Sequence, residues 1–373
     1  MLGMNYKDLS VCIITRDQRE KLIKCLRAVR EHLRGTDIAV LDTGSVDGSL
    51  SAAAEFTSNT GSFDWCDDFS AAKNACVDMA ANDLVLIIDS DEYIEGFLPP
   101  EDGITDLLKG CKEHPGAVGR IRRINSYINR QGLRVNYGEW INRLFDRRLF
   151  HFTGRIHEQV SLRNAAGKRD LYDYAMYRTG LKLFHDGYDL SPDELKKKAE
   201  RNIALLLKET EEEPRDPYLY YQLGKSYYTG KKNEEAVKSF RKALELRPPD
   251  DKEYLSDLYC LMGYALLETG GAKEALELLR PLRSEKRYAE DADFLFLYAM
   301  LLMNNARFDE AREAFIACTL LPPSSTEGTN SFMAWYNAGV ISEVTGDRES
   351  AIGYYKKAGS FEAARQGLDR LLF

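Results

Sequence analysis

Residues 84–92 read Leu-Val-Leu-Ile-Ile-Asp-Ser-Asp-Glu, and this stretch limits the fold of its half of the chain more than any other. Five consecutive large apolar residues are too few for a membrane span and lack a helical period, so they fit a strand buried on both faces. The run stops at Asp89, with further carboxylates at Asp91 and Glu92. Alternation along a strand would carry Asp89 and Asp91 to the same side at its carboxyl end, where open α/β sheets hold their ligands. Acids beside a hydrophobic strand call for a cation or hydrogen-bond donors. A divalent metal carrying a diphosphate fits, because Mg2+ and Mn2+ favour one or two carboxylates plus phosphate oxygens. Solvated acids capping a strand end are the plainer alternative, and the triplet alone does not separate the two.

Length and composition narrow the classes. A chain of 373 residues, 44% hydrophobic and 29% charged, fits a globular protein of roughly two or three domains. Its net charge of −8 argues against a general nucleic-acid binder. No apolar run approaches the roughly 18 residues that span a bilayer, and Met1–Asp8 has no signal-peptide core. The seven cysteines are odd in number and contain no C-x-x-C pair, so reduced thiols in a cytoplasmic protein are expected and zinc is not.

Up to about residue 190 the chain alternates short apolar runs with amphipathic helices. Leu9–Thr15 reads as a buried strand, and Gln18–Leu33 as a helix with Leu22, Leu26, Val29 and Leu33 on one face. Ile38–Leu41 is a second strand, ending in Asp42-Thr-Gly-Ser-Val-Asp-Gly48, and a helix over Phe69–Ala81 leads into Leu84–Ile88. This βαβαβ order predicts a mainly parallel, Rossmann-like sheet covered by helices. Val118 to about Phe184, richer in β-formers, predicts later and partly antiparallel strands.

The pattern changes near Ser191. Ser191-Pro-Asp-Glu194 is a capping box with proline at the first helical position, so a linker helix is expected over 191–216. Beyond it Gly224, Gly263, Ala299 and Gly339 each precede Ala236, Ala275, Ala311 and Ala351 by twelve residues, and Phe240, Leu279, Phe315 and Tyr355 follow four later. Small residues at two fixed points let paired helices approach closely while the large residue fills the next groove. Pro248 and Pro323 then end second helices. The arrangement over 217–373 resembles the tetratricopeptide repeat, with spacings of 36–40 residues rather than the usual number of about 34, so some turns must be extended.

Four further segments of the first half bear on the acids at 89–92. Asp42 closes the second strand, where its carboxylate could accept from the imide N–H of a base, or where Ser45 or Asp47 could merely cap a helix. Lys73 falls in the first turns of a helix, where a cation is unusual unless an anion lies close by, so it is a candidate diphosphate contact. In Phe152-Thr-Gly-Arg-Ile-His-Glu158, strand alternation would send His157 and Glu158 to opposite faces. Glu158 is a candidate general base, with Arg155 orienting it or touching phosphate; a structural ion pair is the alternative. His185 follows an apolar strand and could complete a metal shell begun by Asp91, or serve as a hydrogen-bonded structural residue.

Taken in order, Ser10-Val-Cys-Ile-Ile-Thr15, Asp42-Thr-Gly-Ser-Val-Asp-Gly48, Asp67-Asp-Phe-Ser-Ala-Ala-Lys-Asn74, Ile88-Asp-Ser-Asp-Glu92, Gly154-Arg-Ile-His-Glu158 and His185-Asp-Gly-Tyr188 resemble the family 2 glycosyltransferases of GT-A fold, in the bacterial branch fused to tetratricopeptide repeats. The resemblance implies a catalytic GT-A domain over 1–190. It implies that Thr15, Asp42, Lys73, Asp89, Ser90 and Arg155 bind the nucleotide-sugar, Asp42 at the base and Asp89 at the ribose. Asp91, with His185, would hold Mn2+ or Mg2+ under the diphosphate. Lys73 stands where the family usually has Arg, and Val46 where Thr is commoner. The Glu-Asp base dipeptide common in the family is absent, so the base role is carried to Glu158.

The expectation is an inverting glycosyltransferase, hexosyl or N-acetylhexosaminyl, using a UDP-sugar. Its acceptor would be a protein or peptide recognised by the repeats, which could also form a homodimer. Assembly of a cell-surface polysaccharide is the same-class alternative, and a non-catalytic scaffold the alternative of another class.

Overall fold

The computed structural model describes residues 6–98, 107–114, 116–128, 134–163, 174–185 and 192–372. The chain divides into two compact units, Met1–Leu190 and Ser191–Phe373.

The strands of the first unit are β1 (Leu9–Thr15), β2 (Asp37–Asp42), β3 (Thr60–Ser62), β4 (Leu84–Asp89), β5 (Glu92–Phe97), β6 (Val118–Ile128), β7 (Arg134–Asp146), β8 (Phe150–Thr153), β9 (Gln159–Leu162) and β10 (Met176–His185). Helices α1 (Arg19–His32), α2 (Ser49–Ala54), α3 (Phe69–Asp78) and α4 (Leu107–Glu113) accompany them. Eight strands form one sheet in the order β3-β2-β1-β4-β7-β6-β10-β5, and β8 and β9 form a separate hairpin. The pairings through β3, β2, β1 and β4 are parallel. Beyond β4 the sheet is mixed: β7 runs antiparallel to β4 and β6, β10 parallel to β6, and β5 antiparallel to β10.

The strand that limits the fold behaves as its composition requires. Leu86 and Ile88 face one core with Leu22, Leu26 and Val29 of α1, and Val85 and Ile87 face the other with Cys76 and Val77 of α3. Each fully buried leucine stabilises the unit by about 1.5–3 kcal/mol relative to exposure. The strand ends at Asp89, however, and Ser90 and Asp91 form a turn. The alternation expected to send Asp89 and Asp91 the same way therefore stops one residue too soon.

That turn also sets the shape of the sheet. Three strands lie between β4 and β5. A flat sheet would separate these two by about 19 Å at ~4.8 Å per strand. The link through Ser90 and Asp91 spans about 11 Å at most. The sheet must curl, and the acids sit at the seam where its edge returns.

In the second unit, α5 (Pro192–Glu212) precedes α6 (Pro217–Thr229), α7 (Asn233–Glu245), α8 (Tyr254–Glu268), α9 (Ala272–Leu279), α10 (Lys286–Ala289), α11 (Ala292–Asn304), α12 (Phe308–Cys318), α13 (Phe332–Val344), α14 (Arg348–Lys357) and α15 (Glu362–Leu372). The repeated small residue has a direct physical reason. A Cβ on Gly224 would lie 2.5 Å from the Phe240 ring, one on Gly339 2.6 Å from Tyr355, and one on Gly263 2.8 Å from Leu297. Ala236, Ala275, Ala311 and Ala351 are all buried. The extra length lies in connections: a 3-10 turn (Pro281–Ser284) and α10 separate α9 from α11. After α12, the Asp293 carboxylate pins the loop by accepting from the N–H groups of Ser325 and Thr326 and the hydroxyl of Thr329.

Among the described residues, no helix is long and apolar enough to cross a membrane, and no disulfide joins the cysteines. Ser191, expected to cap α5, and Asp186-Gly187-Tyr188 lie outside the described residues.

Candidate active site

The site begins at the carboxyl ends of β1 and β2, where Thr15 and Asp42 are register partners. Asp42 Oδ2 accepts from the N–H groups of Gly44 (3.1 Å) and Ser45 (2.9 Å), folding the loop back on the strand end. Gly44, at φ +100°, takes a conformation that L side chains rarely adopt. The loops after β1 and β2 are locked reciprocally: Asp17 N–H donates to Ser45 Oγ, Val46 N–H to Asp17 Oδ1, and Arg19 N–H to Asp47 Oδ2. Two atoms remain unsatisfied. Among the described residues, Thr15 Oγ1 and Asp42 Oδ1 are buried without a hydrogen-bond partner. Such groups typically cost about 1–3 kcal/mol each, so their pairing at adjacent strand ends makes them candidates for contact with a ligand's polar atoms.

At the end of β4, Asp89 is held by two cations: Lys73 Nζ at 2.7 Å from Oδ1, and Arg143 Nη2 at 2.6 Å from Oδ2. Burial alone would raise its pKa, but Arg143 and Lys73 outweigh burial and hold it well below the ordinary carboxylate range. Lys73 extends from α3, whose first turn is capped by Asp68 accepting from Ala71 N–H. Only 3% exposed, its ammonium also meets Glu158 Oε1 at 2.5 Å. The anion expected near this helix end is thus supplied by two of the protein's own carboxylates. Lys73 joins the candidate base to the first aspartate of the D-x-D triplet.

The second aspartate belongs to a different arm. Asp91 Oδ2 lies 3.4 Å from His185 Nε2, and His185 Nδ1 lies 2.7 Å from Asn125 Oδ1. Asn125 Nδ2 donates to Glu139 Oε1 at 2.7 Å, and the same oxygen receives Arg123 Nε and Nη2. Arg123 Nη1 reaches Glu92 Oε1 at 3.0 Å, and Glu92 Oε2 accepts the Asp89 N–H at 3.0 Å. A closed circuit therefore runs from the backbone of Asp89 through β5, β6, β7 and β10 to the carboxylate of Asp91. Glu92, fully buried, is its keystone at the seam of the curled sheet.

Ser90 Oγ donates to Gln18 Oε1 at 2.9 Å. Gly154–Glu158 is the loop between β8 and β9 rather than a strand, with Gly154 at φ +95° and His157 at φ +51°, so alternation does not govern His157 and Glu158. The Arg155 carbonyl accepts from Phe69 N–H at 2.8 Å, tying this loop to the start of α3. Sequence reasoning missed Arg123, Asn125, Glu139 and Arg143. The charged residues within the β-forming runs of β6 and β7 were the available signal, since a charge inside a covered sheet needs a partner.

Residues 10–175 match the family described as Glycosyl transferase family 2, and residues 217–250 and 260–323 match tetratricopeptide repeats. The chain is similar to the SPbeta prophage-derived glycosyltransferase SunS of Bacillus subtilis, 24% identical over 307 residues, covering 78% of this chain. It spans 66% of the length of that relative and of its Bacillus phage SPbeta counterpart. A TPR repeat-containing protein of Synechococcus elongatus is 39% identical over 93 residues, 25% of this chain and 23% of its own. Among solved structures, YrrB, a TPR protein with an unusual peptide-binding site, aligns with a TM-score of 0.39 at 26% identity, covering 48% of this chain and 88% of its own. MamA from Desulfovibrio magneticus RS-1 aligns at 0.38 and 19% identity, covering 48% and 93%. The first unit of the chain is a family 2 glycosyltransferase domain of GT-A type, and the second carries tetratricopeptide repeats.

Proposed function

We propose that this chain is an inverting glycosyltransferase that moves a sugar from a UDP-sugar to a protein or peptide acceptor recognised by its repeats. The observation that carries the reading is the pair of buried, unpartnered atoms, Thr15 Oγ1 and Asp42 Oδ1, at adjacent strand ends inside the family match. In this reading Asp42 Oδ1 accepts the imide N–H of uracil, and Thr15 Oγ1 meets the nucleoside beside it. Asp89, kept ionised by Lys73 and Arg143, serves the ribose side. Ser90 and Arg155 complete the donor cradle. Lys73 keeps Asp89 and Glu158 adjacent, and a diphosphate arriving there would share its ammonium.

Asp91 and His185 offer one carboxylate and one imidazole nitrogen 3.4 Å apart, a donor set that fits Mn2+ or Mg2+ completed by phosphate oxygens. When bound, such an ion supplies Lewis-acid stabilisation of the charge growing on the leaving diphosphate. Glu158 takes the proton from the acceptor's nucleophile as that atom attacks the anomeric carbon, and the nucleoside diphosphate departs from the opposite face. The paired helices of a repeat array build an extended concave surface suited to a peptide, which supports a protein acceptor. The odd number of cysteines and the lack of a C-x-x-C pair support a reducing, cytoplasmic setting.

Calorimetric titration of UDP with and without Mn2+ tests the donor assignment, and sugar-nucleotide turnover by Asp91→Ala tests the metal assignment. Tight binding that depends on Mn2+, and lost turnover in a folded variant, are expected. Full turnover by Asp91→Ala would sink the reading.

A further inference from the structure

The two ring nitrogens of His185 have different neighbours, and a chain of hydrogen bonds decides which one bears the hydrogen. Nδ1 lies 2.7 Å from Asn125 Oδ1, and Nε2 lies 3.4 Å from Asp91 Oδ2. One residue further on, Asn125 Nδ2 donates to Glu139 Oε1 at 2.7 Å. A carboxylate only accepts, so the amide nitrogen of Asn125 must face Glu139 and its carbonyl must face the ring. A carbonyl also only accepts. A ring hydrogen therefore sits on Nδ1, and Nε2 is the nitrogen that faces Asp91. Glu139 is itself fixed, because Arg123 Nε and Nη2 reach the same oxygen at 3.0 and 2.7 Å.

We propose that Glu139 and Asn125 are positioning residues that hold His185 as its Nδ1–H tautomer, so that Nε2 and the Asp91 carboxylate together form a seat for a divalent cation. In the neutral Nδ1–H ring the Nε2 lone pair is turned toward Asp91 Oδ2, 3.4 Å away, so that both atoms can act as ligands. Holding them there, with the ring hydrogen pointed away, prepares the seat before the cation arrives. The opposite tautomer would direct an N–H at Asp91 and close the seat with an internal hydrogen bond. Partners that orient a ligating histidine typically contribute about 10–100-fold in metal affinity. The inference rests on the metal reading above and extends it to two side chains that need touch neither metal nor nucleotide. Asn125 is 4% exposed, so solvent does not offer its amide a competing orientation.

Two readouts test it. The first needs no metal: nitrogen-15 NMR of the histidine rings in the metal-free protein, with the His185 signals assigned by their loss in His185→Gln. The wild type should show the Nδ1–H form, and Asn125→Leu should shift population to the Nε2–H form. The second is the affinity for Mn2+ in the presence of UDP, read from the paramagnetic resonance signal of free Mn2+. Asn125→Leu should weaken it by about 10–100-fold, with UDP affinity in the absence of metal unchanged. The double exchange Asn125→Asp with Glu139→Gln transposes donor and acceptor: the new amide at 139 donates to the new carboxylate at 125, which still accepts from Nδ1–H. It should restore the wild-type tautomer and bring Mn2+ affinity back toward the wild-type value. If Asn125→Leu loses its fold, the double exchange carries the test alone, and an Nε2–H ring in it overturns the proposal. An unchanged tautomer or unchanged Mn2+ affinity in a folded Asn125→Leu also overturns it. Failure of the underlying metal reading looks different: Asp91→Asn and His185→Gln would then both bind Mn2+ as the wild type does.

Discussion

Arg143 reaches the Asp89 carboxylate because β7 carries one residue more than its partner strand. The pairing of β6 with β7 passes from Gly119 opposite Leu144 to Arg120 opposite Asn142, leaving Arg143 out of register. A bulge of this kind re-aims one side chain, and here it turns a guanidinium inward to lie 2.6 Å from Asp89 Oδ2. Without the extra residue, alternation would not place a cation at the end of β4.

Replacing Arg143 should therefore be felt in stability before chemistry. Arg143→Met leaves Asp89 with Lys73 alone and Glu92 with Arg123 alone. Breaking this ion pair should destabilise the first unit by about 2–4 kcal/mol, less than for a fully isolated buried charge, measured by urea unfolding. The pH dependence has a definite sign. The folded pKa of Asp89 lies below its unfolded value, so its ion pairs stabilise fully above the ordinary carboxylate range and are lost as pH falls well beneath it. Acid unfolding of Arg143→Met should accordingly begin at a higher pH than in the wild type. An unaltered acid limb would contradict the assignment of Asp89 as an ion-paired group.

Thr15→Val should separate stability from binding. The hydroxyl removed is buried and has no hydrogen-bond partner among the described residues, so its loss should raise the melting stability of the ligand-free protein by about 1 kcal/mol. The same variant should bind UDP more weakly by about 5–10-fold, the worth of one hydrogen bond. Asp42→Asn, which replaces the orphaned acceptor by a donor or displaces the Gly44 and Ser45 contacts, should cost more than Thr15→Val in UDP affinity.

Glu158→Gln tests the base directly. General-base assistance contributes about 10²–10⁴-fold, so kcat should fall in that range while UDP affinity stays within experimental error. The fold should survive, because a neutral amide can still accept from Lys73. Turnover close to wild type would reassign Glu158 to a purely structural partner of that lysine.

In the repeat unit, two glycine substitutions should move in opposite directions. Gly224→Ala drives a methyl group into the Phe240 ring, and the resulting overpacking should destabilise by about 1–3 kcal/mol. Gly353→Ala lies in α14 with nothing within 4 Å of the new carbon and should stabilise by about 0.5–1 kcal/mol. Thermal denaturation of the two variants side by side checks both signs.

The strands and repeats were legible because one-dimensional patterns specify them. Leu9–Thr15 has the bounds read from its apolar run, and the Gly224–Phe240 spacing reports a helix pair whose contact is local in sequence. The ends of β2 and β4 stood out in the sequence as candidate site positions because acids at the close of apolar runs need an explanation. The partners were not. Arg123, Asn125 and Glu139 meet only through the register of β6 against β7, and Arg143 through a bulge, neither of which leaves a periodic trace. The strand alternation assumed for His157 and Glu158 failed because Gly154 and His157 adopt positive φ and turn the chain instead. Lys73 was read as a diphosphate contact; its ammonium lies against Asp89 and Glu158, both distant in sequence.

The turn of Ser90 and Asp91 acts as a ruler. It is the shortest tie between β4 and the far edge strand β5, and it keeps the sheet rolled up. A change in the roll of the sheet must therefore displace Asp91, and a ligand gripping Asp91 must resist that change. Under the metal reading proposed above, curvature and cation affinity become two readings of one mechanical coordinate. A single glycine inserted between Ser90 and Asp91 would slacken both together, whereas an equal insertion in the loop between α12 and α13 would slacken neither.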